Sequence, residues 1–313
     1  MPGFVAGMER HQVAVYLGAL AAGALAGWAA PGAGPVLEHA INPVLAVLLY
    51  VTFLQVPVAE LGRSLRAGRF LGAALVANFV VVPLVVAALF TFLPDDQAVR
   101  LGVLLVLLTP CVDYVIVFSG LAGGDSRRLL AATPLLLLAQ MVLLPGYLWL
   151  FLGSGLAVVE PGPFVEAFVV LILVPLALAW LTQARAGRII GAISTTMVPL
   201  MAATLFAVVA SQVPKLGDDL PQVARVVPFY VAFLVVMAFA GLAVARLFRL
   251  DAASGRAVVF TGATRNSLVV LPLALALPDD LAAVVVVTQT LVEVVGMVVY
   301  VRVVPRLLPD RQA

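Results

Sequence analysis

Three ionisable residues stand inside apolar runs, where an ionised side chain costs at least about 2.5–3.5 kcal/mol on insertion scales. Asp113 lies in LLVLLTPCVDYVIVFSGLAGGD, Arg265 in AVVFTGATRNSLVVLPLALALPDD, and Glu293 in TLVEVVGMVVY. A carboxylate in such a place can exchange a proton with a site, and a guanidinium can hold an anion or an ionised carboxylate. The structural alternative is an ion pair between Asp113 and Arg265 that pins two crossing helices. A pair that opens when Asp113 is protonated serves both readings. Cys111 follows Pro110 directly. A lone thiol in an apolar run is commonly a small buried hydrophobe, yet at a helix break it can contact a soft metalloid.

Pro110 removes a backbone donor and blocks the carbonyl one turn earlier. Gly262, Asn266 and Pro272 weaken the second segment in the same way, with the break expected around Thr264–Ser267. Freed backbone groups at mid-membrane are tolerated only against protein or a water-filled cavity. A pair of interrupted apolar segments at corresponding places in two halves is the sequence pointer to the binding site of a secondary transporter. Candidate substrate contacts are Cys111, Tyr114, Arg265 and Asn266, candidate proton-coupling groups Asp113 and Glu293, and break residues Pro110, Thr264 and Ser267. Asn78 and Gln55 are polar residues that could line a cavity, whereas Gln140 fits a structural hydrogen bond between helices.

The elements that must position these groups follow from composition. Of 313 residues, 64% are hydrophobic and 11% charged, against about 25% charged in soluble domains. The expected fold is therefore an all-α polytopic membrane protein. Apolar runs of the required length, about 20 residues, predict ten spans: Val13–Ala30, Ile41–Val58, Phe70–Leu93, Val99–Leu121, Leu129–Leu152, Phe164–Leu181, Ile193–Val213, Val226–Phe248, Gly255–Leu277 and Leu281–Val304. Alternate loops are basic: Arg10; Arg63, Arg66 and Arg69; Arg127 and Arg128; Arg185 and Arg188; Arg246, Arg249 and Arg256; Arg302, Arg306 and Arg311. The opposite loops hold Arg100, Lys215 and Arg225 among many acidic residues. The basic side is expected to be cytoplasmic, with both termini inside the inner (cytoplasmic) membrane. Five spans in each half make residues 1–155 and 156–313 two inverted repeats of one membrane unit, with spans four and nine matched.

Several classes are excluded or disfavoured. A net charge of +2 gives no basic field for nucleic acid. A single Cys excludes an internal disulfide and a multi-cysteine metal site. No GxxxxGK[ST], HExxH or GxSxG motif is present, so neither ATP-driven transport in this chain nor an enzyme is expected, and no cofactor or metal. No small-residue cleavage pattern marks a removable signal peptide.

Along most of its length the chain resembles the bile acid:sodium symporter superfamily, and within it the arsenite-efflux permeases of the arsenical-resistance-3 type. The segments that carry the likeness are NPVLAVLLYVTFLQVP, VANFVVVP, LLTPCVDYVIVFSGLAGGD, ILVPLALAWLTQ, FTGATRNSLVVLPLALAL and TLVEVVGMVVY. The resemblance implies a core of spans three to five and eight to ten, a panel of spans one, two, six and seven, and a crossing of spans four and nine at unwound centres. It also implies transport roles for Cys111 and Glu293. This chain departs from the pattern at Asp113 and Tyr114, where small or neutral residues are usual, and at Arg265–Asn266, where an Asn pair is typical. Compared with sodium-coupled relatives, Thr261 replaces a Glu and Arg265 a Gln, so sodium coupling is expected to be lost. The first reading is proton-linked efflux of arsenite or a related trivalent metalloid, with core and panel rocking. The alternative is transport of small organic or inorganic anions with Arg265 as the anion contact. The partners are then a small metalloid or anion, protons and the lipid bilayer.

Overall fold

The computed structural model describes residues 11–55, 68–112, 114–153, 162, 166, 169–183, 197–216 and 220–310. Their regular structure is helical: α1 Gln12–Ala29, α2 Gly34–Gln55, α3 Gly68–Phe90, α4 Gln97–Leu107, α5 Tyr114–Leu121 and α6 Ser126–Leu152. There follow α7 Val174–Gln183, α8 Met197–Gln212, α9 Leu220–Leu247, α10 Ala252–Ala263, α11 Ser267–Leu275 and α12 Leu281–Leu307. Among the described residues, five helices are long and apolar enough to cross a membrane, at Gly68–Phe90, Leu135–Leu152, Met197–Lys215, Leu220–Leu247 and Leu281–Leu307. The spans Val99–Leu121 and Gly255–Leu277, expected to be interrupted, are each two short helices, because Pro110 and the Thr264–Asn266 stretch interrupt the backbone ladder.

The chain forms two compact units, each drawing on both halves of the sequence. One comprises Met1–Gln55, Glu160–Val223 and Leu271–Val287. In it Gly23 and Gly27 of α1 let the backbone of α8 come close. A Cβ at Gly23 would lie 2.7 Å from the Phe206 carbonyl oxygen, and one at Gly27 2.6 Å from that of Ala210. The Tyr50 hydroxyl meets Thr182 Oγ1 at 3.0 Å, and Gln183 Nε2 donates to the Leu54 carbonyl at 3.1 Å, fastening α2 to α7. Lys215 and Asp280 form an ion pair at 3.0 Å.

The other unit comprises Val56–Val159, Ala224–Val270 and Thr288–Ala313, and it holds the site. A π-helical turn at Ala77–Val81 interrupts α3, and the Tyr147 hydroxyl donates to the Phe79 carbonyl there at 2.6 Å. Three helices start on aspartate N-caps. Asp96, Asp125 and Asp251 accept from the N–H groups of Val99, Arg128 and Ser254 at 3.0, 3.0 and 2.8 Å. Partial burial pushes the Asp251 carboxyl up, but the Ser254 N–H and hydroxyl and the Arg128 guanidinium outweigh it and hold it below the usual range. The GLAGGDS stretch turns at Gly123 (φ +68°), where a Cβ would lie 2.7 Å from Arg256 Nη1. Arg256, expected in a loop, stands in α10 with 5% exposure. It donates to the Leu308 and Gly123 carbonyls at 3.0 and 3.2 Å and pairs with Asp310 at 3.0 Å, which explains how a charge is carried there.

Candidate functional site

The two breaks meet. Cys111 N–H donates to the Thr264 carbonyl at 3.1 Å and Asn266 N–H to the Thr109 carbonyl at 2.9 Å, forming an antiparallel bridge between Pro110 and Arg265. The register sets Thr109-Pro110-Cys111 against Thr264-Arg265-Asn266. Each interrupted segment thus satisfies backbone groups the other sets free, the condition for irregular chain in a bilayer. The threonines act alike: Thr109 Oγ1 donates to the Leu105 carbonyl at 2.8 Å and Thr264 Oγ1 to that of Phe260 at 2.7 Å. Past the bridge, Asn266 Oδ1 accepts from Val269 N–H at 3.2 Å and so caps α11.

Arg265 is fully buried. Its Nη2 donates to the Thr261 and Gly262 carbonyls at 2.6 and 2.8 Å and to Asn78 Oδ1 at 2.8 Å, and its Nη1 to the Leu107 carbonyl at 3.3 Å. Leu107 ends α4, while Thr261 and Gly262 lie in the last turn of α10. Helix C-termini carry partial negative charge and unpaired carbonyls. One guanidinium therefore serves the ends of both interrupted helices. Asn78, on the π turn of α3, is oriented by donating to the Ala74 carbonyl at 2.9 Å and to Thr261 Oγ1 at 3.3 Å. The Phe233 ring lies 5.7 Å from the guanidinium carbon, within cation–π range.

Glu293, also fully buried, lies on α12. Its Oε1 accepts from the Tyr114 hydroxyl at 2.6 Å, and its Oε2 from the Arg265 backbone N–H at 2.8 Å and from Gln289 Nε2. The carboxylate thus meets the Arg265 main chain just ahead of α11, while the guanidinium points to the C-termini of α4 and α10. Anion and cation each face the helix ends whose dipoles favour them. Ser267 Oγ and Thr290 Oγ1 lie 2.6 Å apart and tie α11 to α12.

Cys111, Tyr114, Arg265, Asn266, Glu293, Pro110, Thr264, Ser267 and Asn78 come together in this unit. Asp113 lies outside the described residues, and so does its pairing with Arg265; Gln55 ends α2, and its side chain is likewise outside the description. Gln289 and Thr290 were missed by the sequence reading. The signal for Gln289 was its position four residues before Glu293, one helical turn away on the same face. Among the described residues, Arg265 Nε, Asn266 Nδ2 and Gln289 Oε1 are buried with no hydrogen-bond partner. Two donors and one acceptor are therefore available at the crossing.

The model of the Sodium Bile acid symporter family matches residues 42–219, more than half of the 313-residue chain. The arsenical-resistance protein Acr3 of Corynebacterium glutamicum is 27% identical over 109 residues, 34% of this chain and 30% of that protein. The match thus spans less than a third of that relative's length. The chain belongs to the sodium bile acid symporter family and is a multi-pass membrane protein.

Proposed function

We propose that this family member exports trivalent arsenic, as its uncharged hydroxide, across the cytoplasmic membrane in exchange for protons. The observation that carries the reading is the orientation of Arg265. Its terminal nitrogens face three carbonyls and Asn78 Oδ1, so its charge complements helix ends rather than standing ready for an anionic cargo. A neutral hydroxide needs a soft contact and hydrogen-bonding groups instead. Cys111 supplies the soft sulfur, and Tyr114 and Asn266, whose Nδ2 is unpartnered, supply polar contacts.

Glu293 is the proton carrier in this reading, with Asp113 as the second candidate. Its partners Tyr114, Arg265 N–H and Gln289 Nε2 are all donors, which suits an ionised, acceptor-only carboxylate. A protonated carboxyl must itself donate, so one of these bonds has to be exchanged. Turning the Gln289 amide presents Oε1, otherwise unpartnered, to the new O–H. Proton binding is thereby coupled to the geometry of Tyr114 and the Arg265 main chain at the crossing. Arg265 is a tethered cation, which makes sodium dispensable.

The reading extends to ten spans in two inverted repeats, residues 1–155 and 156–313, with both termini cytoplasmic; the distribution of arginine between alternate loops supports it. Everted vesicles test it. Arsenite accumulation is expected to be lost with Cys111→Ala and with Glu293→Gln. Unchanged accumulation in both variants would end the proposal. The anion reading predicts the reverse pattern, with Arg265→Gln inactive and Cys111→Ala silent.

A further inference from the structure

A cavity of about 390 Å³ opens at one end of the unit that holds the site, lined by Arg69, Phe70, Arg128, Arg249, Leu250 and Asp251 beside Gly68. Its depth in the membrane follows from α9. That helix has 28 residues, or about 42 Å at 1.5 Å per residue, against a hydrocarbon core of about 30 Å. Arg249, just past its end, therefore stands at headgroup level.

The cavity carries three guanidinium groups against one carboxylate. Arg128 is partly engaged, at 3.1 Å from Asp125, 3.5 Å from Asp251 and 2.8 Å from Ser254 Oγ. Among the described residues, no carboxylate pairs with Arg69 or Arg249. Arg249 has a second peculiarity. It closes α9 with φ +51°, its N–H bonded to the Arg246 carbonyl and the Leu250 N–H to that of Ala245, both at 3.0 Å. Glycine is the usual residue in this left-handed cap, and a residue with a Cβ is disfavoured there. The turn would form more readily without the side chain that lines the cavity.

We propose that this cavity binds a phosphate group, carried by an anionic phospholipid at the membrane surface or by a phosphate-bearing solute, with Arg69 and Arg249 as its principal ligands. Basic pockets between membrane helices recognise headgroups in this manner, and Arg matches phosphate with a planar fork of donors. Leu250 gives the glycerol end of a lipid an apolar wall. This site is separate from the crossing and does not depend on what the transporter carries.

The test uses the full chain in a neutral detergent, with phosphatidylglycerol, phosphatidylcholine and inorganic phosphate as probes and the thermal midpoint as readout. Phosphatidylglycerol is expected to raise the midpoint and phosphatidylcholine to leave it unchanged. Arg249→Gly and Arg69→Gln are each expected to weaken the phosphatidylglycerol response at least tenfold in concentration. Without lipid, Arg249→Gly should be at least as stable as the parent. Protection by inorganic phosphate alone, lost in both variants, supports the site and assigns it to a solute. Three outcomes overturn the proposal: no response to either phosphate compound, variants that respond like the parent, or an equal loss in Arg306→Gln, an arginine outside the cavity.

Discussion

Arg265→Met replaces a planar cation with a shorter, unbranched apolar chain. Four acceptors lose their donor: the carbonyls of Leu107, Thr261 and Gly262, and Asn78 Oδ1. Each buried acceptor left unpaired costs about 1–3 kcal/mol before relaxation. Glu293 also loses the only buried cation near it among the described residues. Removing one partner from a buried charge network typically costs about 3–5 kcal/mol, which corresponds to a fall of roughly 10 °C in thermal midpoint. Arg265→Lys keeps the charge but has three donors for four acceptors, so an intermediate loss of about 1–2 kcal/mol is expected. The assay is thermal unfolding in detergent of Arg265→Met, Glu293→Gln and the double variant. If the guanidinium serves helix ends, Arg265→Met still costs at least about 2 kcal/mol in the Glu293→Gln background. Complete rescue by Glu293→Gln would refute the reasoning and make the residue a simple counter-charge. A fully stable Arg265→Met would refute it outright.

Three further outcomes are expected. Gln289→Leu keeps the bulk but removes both the donor to Glu293 and the free acceptor, so arsenite flux should fall at least tenfold and lose its pH dependence; an unaltered pH–flux curve would contradict this. Gly27→Leu places a side chain where even a Cβ meets the Ala210 carbonyl at 2.6 Å, and overpacking of this kind costs about 1–3 kcal/mol, read as a lowered thermal midpoint; no loss would show that α1 and α8 do not pack as described. Asp251→Asn keeps an effective N-cap but removes a carboxylate held below the ordinary value of 3.8. A depressed pKa gives stability that is complete above the unfolded value and lost as pH falls through the folded one. The variant's thermal midpoint should therefore depend less on acid than the parent's, and equal acid limbs would contradict it.

The interruptions were legible because their causes are local. Pro110 blocks a helix wherever it stands in the interior, and Gly262 and Asn266 weaken one. Charge inside an apolar run is likewise visible without a fold, so Arg265 and Glu293 could be singled out. Partnership was not legible. Toward Glu293, Arg265 presents its backbone N–H, while its terminal nitrogens reach the carbonyls of Leu107, Thr261 and Gly262. Main-chain acceptors leave no mark in residue types. Asn78 stood out as a polar residue in a span, but the π turn that points it at Arg265 depends on packing within the unit. Arg256 looked like a loop cation because its partners, Leu308 and Asp310, lie at the far end of the chain.

The central claim, a proton-linked carrier of neutral metalloid with a tethered cation in place of sodium, is tested most directly by flux in proteoliposomes. Arsenite is supplied at fixed concentration while the pH gradient and the sodium gradient are imposed separately. The account predicts flux that follows the pH gradient and ignores sodium at constant pH. Flux driven by sodium at constant pH, or transport of small carboxylates with none of arsenite, would contradict it.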